Sequence, residues 1–235
     1  FHHSDDSLDD AQAQKLDPVC RKLRLAKGER FLDIGCGWGA LIFWAAENYG
    51  VTATGITLSR NQFEHVREQI ATRGLTDRVR VELRDYVDLP DEAAFDKIAS
   101  VGMFEHVGPR NYDRYFGKIR RILVPGGLVL NHGITHNALS RRGLGSGIGE
   151  FVEEYVFPGG ELAHVSRVVA GLAAQGLEVV ACHAFREPYA KTLWHCVDRL
   201  QAHADAASPV AGEGDAPPLS AHRARSAPGI APGCA

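Results

Sequence analysis

The first residues arranged to do chemistry form one run, Phe31-Leu32-Asp33-Ile34-Gly35-Cys36-Gly37-Trp38-Gly39. An apolar stretch ends in an acid, and glycines then alternate with other residues before a helical pattern begins. Gly35, Gly37 and Gly39 let the backbone turn tightly and approach a ligand with no Cβ in the way. A dinucleotide-binding turn would read G-x-G-x-x-G and rest a pyrophosphate on the helix N-terminus. Here the third glycine comes one residue early and Ala40 holds the sixth place. A carboxylate at Asp33 opposes a pyrophosphate and suits a cationic ligand such as S-adenosylmethionine.

Two further segments fall where a ligand at the carboxyl ends of parallel strands would be touched. Gly55-Ile56-Thr57-Leu58-Ser59-Arg60-Asn61-Gln62 lacks the acid that many nucleotide sites use for ribose hydroxyls. Thr57, Leu58, Ser59 and Gln62 stand in its place as candidate contacts, although Ser59 is equally an ordinary helix N-cap. In Arg84-Asp85-Tyr86, Asp85 is a candidate acceptor for an adenine amino group and Tyr86 a candidate stacking ring. Farther on, Glu105 lies at the carboxyl end of the fourth strand pattern and His132 near that of the fifth, so a parallel sheet sets them side by side. Such a pair can share a proton and fix the histidine tautomer. His132 and His136 are four apart but on no helical pattern, and no H-E-x-x-H occurs, so no metal is expected.

The elements that must hold these residues can be read from periodicity. Residues 7–24 carry a helical stripe of Leu8, Ala11, Leu16, Val19, Cys20 and Leu23, with Ser7 as N-cap and Lys27-Gly28 as the stop. Strands are expected at 30–34, 51–57, 79–83, 97–101 and 128–134, with helices at 39–49, 61–73 and about 111–123 between them. That alternation predicts an α/β fold, a mostly parallel sheet with helices on both faces. It breaks at 135–160, where glycines punctuate a long insertion read as a lid, with Phe151, Val152, Tyr155 and Phe157 as tunnel-lining candidates. A helix at 161–175, a strand at 177–184 and a helix at 188–201 restore it. From 203 to 235 the chain is rich in Ala, Pro, Gly and Ser and is expected to be disordered. One domain over 1–202 and a tail over 203–235 is the expected organisation.

Composition bounds the function classes. The 235 residues carry a formal net charge of −3, which argues against a nucleic-acid-wrapping protein. No apolar run reaches the ~18–20 residues of a membrane span, and no leader segment is visible. Five cysteines at irregular spacing read as reduced thiols of a cytoplasmic protein. The single methionine, Met103, and a first residue of Phe make a fragment or trimmed product the expectation.

Taken in order, L-D-I-G-C-G-W-G, G-I-T-L-S-x-x-Q, S-V-G-M-F-E-H-V-G, P-G-G-x-x-x-x-H-x-I, Y-x-F-P-G-G and Tyr189-Ala190-Lys191-Thr192-Leu193 resemble the cyclopropane-fatty-acyl-phospholipid synthase family, which includes the mycolic acid cyclopropane synthases. The resemblance runs from about 7 to 201. It implies a Rossmann-like class I methyltransferase that binds S-adenosylmethionine and alkylates the double bond of an unsaturated phospholipid or other acyl lipid. It also implies bicarbonate as the base, cradled by residues matching Glu105, His132, Ile134 and Tyr189. Transient contact with the inner membrane face would follow, and no nucleic acid is implied. The chain departs from the pattern at both ends. It starts after the family's Cys-Ala-Tyr segment, and residues 203–235 cannot supply the final antiparallel strand. The alternatives are a relative that leaves a methyl or methylene branch or methylates a small molecule, a truncated cofactor-binding protein without catalysis, and a nicotinamide dehydrogenase, which the glycine spacing disfavours.

Overall fold

A computed structural model describes residues 8–135 and 162–185, together with helical positions 191, 192, 194, 195, 198 and 202. The chain divides into two compact units. One comprises 13–143 and 157–179 and contains the sheet; the other comprises 1–12, 144–156 and 180–235. The expected insertion at 135–160 lies almost wholly outside the described residues, as do Tyr189 and the tail from 203.

Five parallel strands, β1 (Arg30–Ile34), β2 (Thr52–Thr57), β3 (Val79–Leu83), β4 (Phe95–Val101) and β5 (Leu123–His132), lie in the order β3-β2-β1-β4-β5. The helices are α1 (Leu8–Lys22), α2 (Ala40–Tyr49), α3 (Arg60–Thr72), the single turn α4 (Phe104–Val107), α5 (Tyr112–Ile122) and α6 (Val165–Ala174). A strand buried on both faces has no polar side to present, which is why Phe31-Leu32-Asp33-Ile34 is buried at every position. Alternate side chains go to opposite layers. Phe31, Ala53 and Ala99 meet Val19, Cys20 and Leu23 of α1, Ile42 and Ala45 of α2, and Val66 of α3. Leu32, Ile34, Ile56 and Ile98 meet Tyr115, Phe116, Ile119 and Ile122 of α5 and Val168 of α6. At the amino ends of the strands, Asp96 accepts from the Arg30 backbone N–H at 2.8 Å and from its guanidinium at 3.1 Å.

The chain leaves β1 toward β2 and β3 on one side, then returns to β4 and β5 on the other. The winding reverses at the carboxyl ends of β1 and β4, the switch point at which open α/β sheets generally bind ligands. The Gly loop following β1 and the segment from Gly102 to Glu105 following β4 both reach this switch point.

Three expectations need correction. α1 ends at Lys22 rather than 24, because Arg24 takes a left-handed φ of 53° that cannot continue a helix. β5 begins at Leu123, so Pro125-Gly126-Gly127 lies inside a strand instead of before one. Leu123 pairs with Phe95 and Leu128 with Lys97, leaving the residues between them bulged out of the ladder. Proline and glycine are tolerated there because, among the described residues, β5 is an edge strand with no second neighbour needing their groups. Finally, residues 177–185 form no strand: among the described residues the sheet stops at β5, and Val180 is 73% exposed.

Candidate active site

The loop after β1 is built by its neighbours as much as by its own glycines. Gly35, Gly37 and Gly39 all have positive φ, 79°, 55° and 87°. A Cβ at Gly39 would lie 2.8 Å from the Phe43 ring, and one at Gly35 would lie 3.1 Å from the Met103 side chain. Gly37 differs, since a Cβ there would meet nothing within 4 Å. Its α-carbon is therefore uncrowded by the rest of the chain. Underneath, a Cβ on Gly55 of β2 would strike Cys36 at 2.8 Å, so that glycine lets the loop fold down onto the sheet.

Asp33 is the penultimate residue of β1 and is only 3% exposed, and its Oδ1 has no hydrogen-bond donor. Burial pushes its carboxyl up to about 7, with the Lys15 ammonium of α1 pulling the other way. A buried carboxylate oxygen without a donor is costly in a folded chain, on the order of 1–3 kcal/mol or more. Such a group makes sense where a ligand brings the missing donor. The site thus fits the ammonium-bearing methionine end of S-adenosylmethionine, on the strength of this orphan oxygen and the space beside Gly37.

After β2, three of the expected contacts are joined to one another. Thr57 Oγ1 donates to Gln62 Oε1 at 2.7 Å and accepts from the Ser59 N–H at 3.1 Å. Ser59 Oγ accepts from the Gln62 N–H at 3.4 Å, so its side chain caps α3 as an ordinary N-cap. Leu58 is 73% exposed, an apolar surface beside a polar cluster. After β3, Asp85 Oδ1 accepts from the Val87 N–H at 3.1 Å, which spends one of its oxygens on the local turn. Tyr86 packs edge-on against Tyr115, with ring centroids 5.2 Å apart. Tyr115 in turn is fully buried, and its hydroxyl donates to Asn131 Oδ1 at 3.2 Å.

On the other side of the switch point Glu105 sits on α4 rather than at the very end of β4, which stops at Val101. It is 1% exposed; Oε1 accepts from the Ile134 N–H at 2.8 Å, and Oε2 is buried with no donor. Burial pushes its carboxyl up, and the Ile134 amide offsets part of that. His132 is the last residue of β5 and pairs with Val101 in register. Burial lowers its pKa first, and the charges of Lys15 and Lys22 lower it further. Two lysines of α1 are thus among the charges acting on it, a contribution that strand order alone does not predict. Glu105, His132 and Ile134 do converge at the ends of β4 and β5, whereas the expected Tyr189 lies outside the described residues.

One residue that matters here was not foreseen. A Cβ on Gly133 would lie 2.7 Å from Glu105 Oε1 and would also collide with the Phe104 ring. Its absence lets α4 lie close enough for Glu105 to reach the Ile134 amide. The signal was present in Asn131-His132-Gly133-Ile134, a glycine between two candidate site residues.

A parallel order with its switch point at the β1/β4 reversal, a Gly loop and a buried acid near the end of β1 define a class I methyltransferase fold. The family model described as "Mycolic acid cyclopropane synthetase" matches residues 1–215, and the chain belongs to that family. It is 48% identical over 201 residues to the "Probable fatty acid methyltransferase" of Pseudomonas putida, covering 86% of this chain and 51% of that protein. It is 40% identical over 197 residues to the cyclopropane-fatty-acyl-phospholipid synthase of Escherichia coli K12, covering 84% and 48% respectively. The crystal structure of the mycolic acid cyclopropane synthase CmaA1 with SAH and CTAB superposes with a TM-score of 0.89 at 32% identity, covering 98% of this chain and 83% of that one. The chain spans about half the length of the two sequence relatives.

Proposed function

We propose that this chain transfers the methyl carbon of S-adenosylmethionine to the double bond of an unsaturated acyl lipid and closes it to a cyclopropane. In this reaction the alkene π pair forms the new C–C bond while the S–CH3 pair stays on sulfur. A proton then leaves the new methyl group, and its C–H pair closes the ring. An alkene is a weak nucleophile, so the protein's first task is to hold both reactants in line at near-attack distance. Asp33, the Gly loop and the Thr57–Ser59–Gln62 cluster, with Leu58, Asp85 and Tyr86, are the residues assigned to the methyl donor.

The observation that carries the reading is Glu105, a buried carboxylate with one oxygen held by the Ile134 amide and the other lacking a donor. Bicarbonate fits this setting: it carries an O–H to donate to the orphan Oε2, and a carboxylate without a proton would be repelled there. Glu105, His132, Ile134 and Tyr189 are the residues proposed to hold it, and when bound it supplies the base for the methyl proton. Burial and the α1 lysines lower the His132 pKa, which favours the neutral imidazole that would hydrogen-bond the anion. The solved relative's SAH supports the donor site, and its detergent, CTAB, supports an acyl site.

The substrate proposed is a monounsaturated phospholipid met by transient contact with a membrane surface. Among the described residues no helix is long and apolar enough to cross a membrane. A second reading, a methyl- or methylene-branched product, is favoured by the fatty acid methyltransferase named among the relatives. Methyl-labelled S-adenosylmethionine, bicarbonate and vesicles of monounsaturated phospholipid test both. A labelled fatty acid one CH2 heavier that resists mild hydrogenation supports the cyclopropane. Ready hydrogenation supports a methylene branch, and absence of label with cofactor binding retained overturns both.

A further inference from the structure

Lys15 is a charged group that the site as described does not yet use. It stands one helical turn before Val19 on α1, whose Val19, Cys20 and Leu23 pack on the same sheet face as Phe31. Side chains two apart on a strand share a face, so Asp33 shares that face with Phe31. His132 shares it with Leu128 and Leu130, which also pack into the α1 layer. The register places Asp33 beside Ala99, and Ala99 beside Leu130, one strand further. Lys15, Asp33 and His132 therefore gather on one face of the sheet toward its carboxyl edge.

The cation and the acid feel each other without touching. Lys15 pulls on the Asp33 carboxyl, and Asp33 acts on Lys15 in return, yet no salt bridge joins the two among the described residues. Asp33 Oδ1 is left buried with no donor. Lys15 is exposed to solvent by area, although enough protein surrounds its ammonium that burial lowers its pKa. A direct ion pair would have quenched both charges. With no ion pair between them, both charges stay available to a ligand that carries both signs, as an α-amino acid does.

We infer that Lys15 and Asp33 bind the amino-acid end of the methyl donor as a zwitterion clamp, Lys15 taking its α-carboxylate and Asp33 its α-ammonium. This rests on S-adenosylmethionine being the donor. The clamp makes Lys15 a specificity residue: it separates donors that keep the carboxylate from analogues that have lost it, while the nucleoside is held elsewhere.

Calorimetric titration of the full chain tests the clamp with four probes: S-adenosylmethionine, S-adenosylhomocysteine, decarboxylated S-adenosylmethionine and 5′-methylthioadenosine. Lys15→Met is expected to weaken S-adenosylhomocysteine about tenfold or more, as for loss of a charge-assisted contact. The same variant should leave decarboxylated S-adenosylmethionine and 5′-methylthioadenosine within about twofold. Asp33→Asn should weaken every probe with an α-ammonium and spare 5′-methylthioadenosine, and Lys15→Arg should restore most of the lost affinity. Circular dichroism checks that each variant is folded, and Lys15→Gln replaces Lys15→Met if the latter is not. Equal weakening of all probes, or none, in folded Lys15→Met overturns the clamp. Failure of the unmutated chain to bind any probe overturns the methyl-donor reading, and the clamp with it.

Discussion

Asp33 near the end of β1 and Glu105 just beyond β4 are two buried acids on either side of one switch point, and they are solved differently. Each has an oxygen with no donor. Asp33 has a lysine within electrostatic reach, and its carboxyl stays near 7. Glu105 has a backbone amide at 2.8 Å and no lysine among the charges acting on it. The first environment is suited to a ligand cation, the second to an O–H donor. One switch point can thus hold a sulfonium donor and a proton acceptor together without either occupying the other's place.

Separating the two acids by mutation gives the largest effect. Glu105→Gln should lower turnover by about 100-fold or more, the scale of removing a charge-stabilising group from a reacting centre. Its affinity for S-adenosylhomocysteine should stay within about threefold; loss of both together would mean that the two acids are not separable. Gly37→Val comes next and works in reverse. Its β-branched side chain must take a φ of 55° and would project into the open space beside the loop. Affinity for S-adenosylhomocysteine should fall by about tenfold or more, while stability falls by only about 1–2 kcal/mol.

The fold was most legible where local pattern and tertiary environment agree. β1 and β3 were read to the residue for different reasons: the central β1 runs apolar through Phe31, Leu32 and Ile34, whereas β3, at the end of the strand order, alternates Val79, Val81 and Leu83 with Arg80 and Glu82. β5 was misplaced because Pro125-Gly126-Gly127 signals a turn locally, and only the sheet edge makes a bulge there acceptable. Glu105 and His132 could be named, but their electrostatic partners could not. The Ile134 amide is 29 residues from Glu105, and α1 reaches Asp33 and His132 only through packing. Lys15 carries no local signal in the sequence, because only the strand register and the packing of α1 place Asp33 and His132 on the face that the helix covers.

Two smaller effects sharpen the contrast. Asp33 binds its proton more tightly folded than unfolded, with a carboxyl raised from 3.8 to about 7. Asp33's contribution to the stability of the free chain should therefore be greatest below pH 3.8 and decline as pH rises across that interval. The slope is at most about 1.4 kcal/mol per pH unit. Urea unfolding should show Asp33→Asn more stable than the parent above neutrality, with the decline flattened. Affinity for S-adenosylhomocysteine should run oppositely, rising toward pH 7 as the acid ionises and the α-ammonium finds its partner. Parallel rather than opposed trends would remove Asp33 from the donor site. Smallest of all, Tyr115→Phe deletes the bond to Asn131 beneath Tyr86 and should cost about 1 kcal/mol of stability in the same assay, with turnover changed less than by Glu105→Gln.

The most direct test of the account supplies the chain with trideuteromethyl S-adenosylmethionine, bicarbonate and monounsaturated phospholipid vesicles, and weighs the fatty acids released afterward. Methyl transfer followed by proton loss and ring closure predicts a hydrogenation-resistant product that keeps two of the three deuterons. A product retaining all three would show that no proton leaves the new methyl. That result would contradict the role assigned to the Glu105–His132 side of the switch point.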